Sequence, residues 1–319
     1  MMKKKLMLAS SIATTFLATA TAVSGIMLTN RLMYIKPKEA SFIYDREVKA
    51  KRFDEAWYNG CLKDELTVQS PNDYTIKGIF LKPLSTKNTV IICHGVTESK
   101  MNSIKYARMY ERLGFNTVVY DHRRHGDSGG KTTSYGHYEK YDLQALVQAV
   151  KAIIGEDALL GIHGESMGAA TTLLYAGTVE DHASFYISDC AFSDFRELLA
   201  RIIKNSISID FKFAIRLSNF FIRMREGYSF DHVNPKLAVK NIMKPILFIH
   251  SEPDDFIPST MTEQLFEAKP DAKMLKIFKE GAHAQSFNVS PYEYEQVITK
   301  FLQDFIGDYR NNLEIDPFV

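Results

Sequence analysis

Across 319 residues, hydrophobic side chains make up 45% and charged ones 24%, which excludes a disordered chain, a collagen-like chain and a polytopic membrane protein. Lys and Arg total 39 against 38 Asp and Glu. Lys3, Lys4 and Lys5 sit in an acid-free tail, so the rest stands at 36 − 38 = −2 and offers no field to hold nucleic acid. Three scattered cysteines, Cys61, Cys93 and Cys190, form neither a disulfide framework nor a C-x-x-C metal pattern.

The lysine cluster is followed by an uncharged run from Leu6 to Leu28. As a helix these 23 residues would reach about 34 Å, enough for a hydrocarbon core of about 30 Å. The run has no polar face, which argues against a buried core helix. It predicts an uncleaved anchor within residues 1–36, with the catalytic part outside the cell membrane. A signal peptide cut at Ala18-Thr19-Ala20 or Ala20-Thr21-Ala22 is the alternative, and would leave a secreted protein. Seven Ser and Thr residues in the run favour that second reading. Residues 37–64 read as a helical linker.

From Glu65 onward, short apolar runs alternate with helical patterns. Asn88–Cys93, Asn116–Tyr120, Ala158–Ile162, Phe185–Ser188 and Pro245–Ile249 are continuous runs of the kind that form strands buried on both faces. Leu143, Leu146, Val147, Val150, Ile153 and Ile154 follow helical spacing, as do Tyr294, Val297, Ile298, Phe301, Leu302 and Phe305. Such alternation predicts an α/β core over residues 65–190 and 245–319, with a mostly parallel sheet between helices. Residues 191–244 break the rhythm and read as a helical cap inserted over the sheet. From Phe195 to Arg225 the cap has seven basic residues against Glu197 and Asp210, a balance of 7 − 2 = +5, interleaved with Phe211, Phe213, Phe220 and Phe221. An amphipathic cover with solvated charges is the plain reading. The sharper one presents Arg216, Arg223 and Arg225 to anionic headgroups or an acidic substrate.

Gly164-Glu165-Ser166-Met167-Gly168 follows one of these strands and opens a helix, which makes it G-x-S-x-G in its informative setting. The tight turn lifts the Ser166 hydroxyl out of the sheet, and side chains at 164 and 168 would collide with neighbouring backbone. A serine needs a base, and reactive groups gather at the carboxyl ends of strands. Of nine histidines, only His283 follows the last strand candidate, Met274–Phe278. The acid should follow Pro245–Ile249, where Glu252, Asp254 and Asp255 compete. Asp254, three residues before Ile257-Pro258, is chosen, with Asp255 as the fallback. Its carboxylate would orient the imidazole and stabilise its protonated form. The oxyanion donors should be the Met167 N–H and, after the strand ending at Cys93, the Val96 N–H. In the stretch Asp121–Gly130, His122 and His125 stand three apart, but no further ligands cluster nearby, so it reads as a charged turn behind the oxyanion loop.

On these motifs the chain resembles the α/β-hydrolase superfamily, and within it the serine aminopeptidase-like (monoacylglycerol lipase-like) hydrolases. It looks like the membrane-anchored or exported members of that group in Gram-positive bacteria. The resemblance spans Leu66 to Gly307 and includes Asp121-x-Arg123-x-x-Gly126-x-Ser128, Gly227-Tyr228-Ser229-Phe230, Asp254-x-x-Ile257-Pro258 and His283-Ala284. It implies an eight-stranded sheet with a helical cap and a Ser166–His283–Asp254 triad. Ser251 departs from the family pattern, where glycine usually follows the histidine. The function expected is cleavage of a small carboxylic ester through an acyl-enzyme, with no cofactor and no metal. A peptidase, an acyltransferase or a catalytically inactive binding protein on this fold are the alternatives.

Overall fold

The computed structural model describes residues 2–206, 211–307 and 309. Helices α1 (Met2–Met33), α2 (Ala40–Lys49) and α3 (Glu55–Gly60) precede strands β1 (Lys63–Gln69) and β2 (Thr75–Leu81). Then β3 (Thr89–Cys93), α4 (Lys100–Arg112), β4 (Asn116–Tyr120), α5 (Glu139–Ile154), β5 (Leu160–Glu165), α6 (Met167–Thr178) and β6 (Phe185–Asp189) alternate. Helices α7 (Phe195–Ser206), α8 (Phe211–Glu226) and α9 (Pro235–Ala238) separate β6 from β7 (Ile246–Ser251). The chain continues through α10 (Ser259–Ala268), β8 (Lys273–Phe278), α11 (Ser286–Val289) and α12 (Pro291–Phe305).

The eight strands form one sheet in the order β1-β2-β4-β3-β5-β6-β7-β8. Only the pairings of β1 with β2 and of β2 with β4 are antiparallel. Every residue of β3 to β7 is buried, as the uninterrupted apolar runs require. Alternate side chains feed two cores. Ile91 and Cys93 of β3 pack with α5 and α6, whereas Val90 and Ile92 pack with α4 and α12. Strand order reverses between β3 and β5, whose ends meet at Cys93 and Gly164. That is the switch point at which a crevice opens beyond the carboxyl ends of the strands.

Among the described residues, no helix is long and apolar enough to cross a membrane. The transmembrane anchor expected within residues 1–36 is therefore not supported. An uncharged run fits a protein surface as well as lipid, and here the end of α1 lies against α8. A Cβ on Gly25 would stand 2.2 Å from the Phe221 ring, and Thr29 and Met33 are buried. Arg225 donates to Thr29 Oγ1 and, at 2.7 Å, to Asn30 Oδ1, while Arg196 pairs with Asp231 at 2.7 Å. Arg201 Nη2 also donates to Asp255 O, at 3.5 Å, so at least three of the seven basic residues of the insertion are engaged within the protein. Asp210, counted in that charge balance, and residues 310–319 of the core lie outside the described residues. So do the side chains of Lys3, Lys4, Lys5 and Phe211.

After α1, residues 34–38 run as a strap over the loop that follows β3. The Lys38 N–H donates to Thr97 O at 2.9 Å, and the Thr133 N–H donates to Met33 O at 2.9 Å. Arg124 Nη1 donates to Ile35 O, which ties the same strap to the turn after β4. The N-terminal segment therefore borders the crevice, a relation with no signature in the local sequence.

Candidate active site

The turn between β5 and α6 places Ser166 at φ +56°, in the left-handed region, where a residue with a Cβ is strained. The flanking glycines make this geometry accessible. A Cβ on Gly168 would fall 2.0 Å from Cys93 O, and one on Gly164 would fall 2.4 Å from Gly168 O. The Ser166 hydroxyl donates to His283 Nε2 at 2.8 Å, and His283 Nδ1–H donates to Asp254 Oδ2 at 2.7 Å. His283 comes from the loop between β8 and α11, and the Phe256 ring lies edge-on to it, centroids 5.0 Å apart. Ser166, His283 and Asp254, chosen separately from sequence, are brought into one hydrogen-bonded row.

Of the three competing acids, Glu252 pairs with Lys279 at the surface, and Asp255 is exposed. Asp254 is buried and fully engaged. Its Oδ1 accepts the Phe256 and Ile257 N–H groups at 3.0 and 2.9 Å, and its Oδ2 accepts a second imidazole, His250 Nε2, at 3.1 Å. Burial alone would raise this carboxyl. The bonds from His250 and His283 outweigh burial and hold it well below the usual carboxylate range. His250 went unassigned in the sequence reading. Its Nδ1 faces Thr262 Oγ1 of α10 at 2.7 Å, a partner that only the fold supplies. Ser251, the departure from the family pattern, bonds Ser286 Oγ at 2.8 Å and so joins β7 to α11, next to the His283 loop.

The loop carrying Val96 abuts Ser166, since a Cβ on Gly95 would lie 3.4 Å from Ser166 Cβ. Among the described residues, neither the Val96 N–H nor the Met167 N–H enters a hydrogen bond with the protein, which leaves both available to a ligand. Beneath Ser166, the buried Glu165 accepts from Asn102 Nδ2, Lys105 Nζ and Tyr106 OH at 3.0, 2.9 and 2.6 Å. Burial opposes ionisation of Glu165, but the Lys105 charge and these bonds lower its pKa overall. A cavity of about 570 Å³ opens over Ser166 and His283. Its walls include Lys38, Arg46 and Arg52, balanced by Glu47 and Glu98.

Among the described residues, no group of three or more His, Cys, Asp or Glu side chains is arranged to hold a metal ion. The rings of His94, His122 and His125 do cluster, with His94 centred 4.6 Å from His122 and 5.3 Å from His125. However, His94 and His125 spend both ring nitrogens on backbone groups.

A mostly parallel sheet with a serine on a strained strand-to-helix turn is the architecture of an α/β hydrolase. The sequence profile described as "Serine aminopeptidase, S33" matches residues 85–214. The protein YqkD of Bacillus subtilis (strain 168) is 42% identical over 289 residues, covering 90% of this chain and 95% of that protein. The lysophosphatidylserine lipase ABHD12 of Macaca fascicularis is 24% identical over 61% of this chain, which spans 48% of that lipase. Among solved structures, the Pyrococcus furiosus esterase Pf2001 superposes with a TM-score of 0.65 at 20% identity, covering 86% of this chain and 100% of that one. The Pyrococcus horikoshii acylaminoacyl peptidase superposes with a TM-score of 0.56 at 19% identity, covering 76% of this chain and 41% of that one. The chain belongs to the α/β-hydrolase superfamily, in its serine aminopeptidase-like group.

Proposed function

We propose that the protein is a serine hydrolase of carboxylic esters. Ser166 is the nucleophile, His283 the general base and Asp254 the orienting acid, with the Val96 and Met167 N–H groups as oxyanion donors. The observation that carries the reading is the row Asp254–His283–Ser166, with bonds of 2.7 and 2.8 Å, beside two free N–H donors. Ser166 Oγ attacks the carbonyl carbon as its proton passes to His283 Nε2, and the oxyanion forms against the two N–H groups. The imidazolium, steadied by Asp254, protonates the departing alcohol. Water then attacks the acyl-enzyme under the same base and frees Ser166. We further propose that residues 65–190 and 245–319 form the catalytic core and residues 191–244 its cap.

Esters are preferred over amides because Pf2001 and ABHD12 are an esterase and a lipase by name. A peptidase is the second reading, favoured by the fold shared with the acylaminoacyl peptidase. The test labels the protein with a fluorophosphonate, then compares p-nitrophenyl esters of graded length with aminoacyl-naphthylamides. Labelling and ester turnover should both vanish in Ser166→Ala while its melting temperature stays within a few degrees. Labelling that survives in Ser166→Ala would end the assignment, and turnover confined to the naphthylamides would favour the peptidase.

A further inference from the structure

The loop from His94 to Glu98 contains a residue whose backbone would not hold its shape unaided. Thr97 is β-branched yet sits at φ +67°, in the left-handed region, and it directly follows Val96. It is gripped from two sides. On the outside its carbonyl accepts the Lys38 N–H of the strap at 2.9 Å, and on the inside its N–H donates to His125 Nε2 at 3.1 Å. His125 is completely buried, and its other nitrogen lies 2.8 Å from Arg123 O. A carbonyl can only accept, so Nδ1 carries the proton and Nε2 is left as the acceptor that Thr97 requires. His94 is fixed in the same tautomer at the start of the loop, with Nδ1 2.7 Å from Gly95 O and Nε2 accepting the His122 N–H at 3.0 Å.

We propose that His125 is a positioning residue for the oxyanion hole, whose Nε2 lone pair fixes Thr97 in its left-handed conformation and so aims the neighbouring Val96 N–H at the space above Ser166. The proposal rests on the reading of Ser166 and Val96 given above. Burial lowers the His125 imidazole to about 3, so the acceptor persists throughout the neutral range. No proton leaves or reaches His125 during turnover, and its effect falls on the transition state, where the oxyanion develops, rather than on substrate binding.

Two substitutions separate the functions of the two ring nitrogens. His125→Asn can keep a donor toward Arg123 O but places nothing near Nε2, whereas His125→Gln can return an acceptor to the Nε2 position. On a p-nitrophenyl ester, His125→Asn should lower kcat by about 10- to 100-fold, somewhat less than deletion of an oxyanion donor, with KM changed less than about 3-fold. His125→Gln should recover most of that loss. Rates are compared per folded protein, with melting curves as the control. Hydrogen exchange on the unaltered full chain gives a second measurement, in which the Thr97 amide should be as protected as those of β3. An Asn variant as active as the Gln variant, or a Thr97 amide that exchanges like an open loop, would overturn the proposal. Because Ser166→Ala is assayed alongside, loss of the clamp alone is distinguished from loss of the serine mechanism.

Discussion

At the residue scale, the site turns on one carboxylate that accepts four hydrogen bonds, two from backbone and two from imidazoles. An Asn at 254 could keep the backbone bonds through its oxygen, but its NH₂ would face nitrogens that already carry protons. His283 would then lose the partner that fixes its tautomer. Asp254→Asn should therefore lower kcat on the order of 10⁴-fold with little change in KM, while Asp255→Asn should stay near wild type. Steady-state kinetics on one p-nitrophenyl ester checks both, and a fully active Asp254→Asn would move the role elsewhere. Ser166 and His283 could be picked out from local patterns at strand ends, and the fold brings the two side chains within hydrogen-bond reach. Asp254 was legible only as one of three, and the fold separates it by burial. The contacts of His250 and His125 were not legible, because their partners Thr262 and Thr97 are brought beside them only by the folded chain.

At the scale of elements, the five buried strands were readable because a strand covered on both faces must be apolar throughout. Strands β1 and β2 escaped separate recognition. Alternation of half-exposed positions at a sheet edge is a weaker signal, and the Ser70 to Tyr74 turn between them is short. The packing of the end of α1 could not be read for a related reason, since an uncharged run does not state whether lipid or α8 lies against it. Packing at the turn that carries Ser166 is tighter still. The Gly168 α-carbon leaves no room for a methyl beside Cys93 O, and that carbonyl belongs to the strand that leads into the loop of Val96. Relief would have to come from movement of β3 relative to α6. Gly168→Ala should lose fluorophosphonate labelling and melt several degrees lower, as overpacking that costs about 1–3 kcal/mol would. Wild-type labelling with an unchanged melting curve would mean that the turn has slack the geometry does not show.

At the scale of the whole molecule, the buried ionisable groups set how stability responds to pH. Burial pushes the pKa of four histidines far below the ordinary imidazole range: His122, His125, His137 and His163. Each stays neutral when folded but takes up a proton near pH 6.5 once unfolded, so its contribution is present above about 6.5 and is lost as pH falls. Two buried aspartates act in the opposite sense. Burial raises Asp142 to about 6 and Asp189 to about 7, so between pH 4 and 7 the folded state holds protons that the unfolded chain has released. The histidines outnumber the aspartates, and near pH 5 unfolding should take up about 4 − 2 = 2 protons, a slope on the order of 3 kcal/mol per pH unit. Below about 4.5 a further loss sets in. There Glu98, which burial would raise but Arg46 and Lys38 bring down to about 2, must be protonated in the unfolded chain while it is still charged in the folded one. Urea midpoints measured from pH 8 to 4 should be nearly level above 7, fall steeply between 6.5 and 5, and continue to fall below 4.5. His163→Gln, which removes one neutral histidine from beside Tyr110 and Tyr294, should reduce the proton uptake at pH 5 by about one. A midpoint that stays level from pH 7 to 5, or a His163→Gln slope equal to wild type, would mean that these interiors admit the charged form and that the pH response arises at the surface.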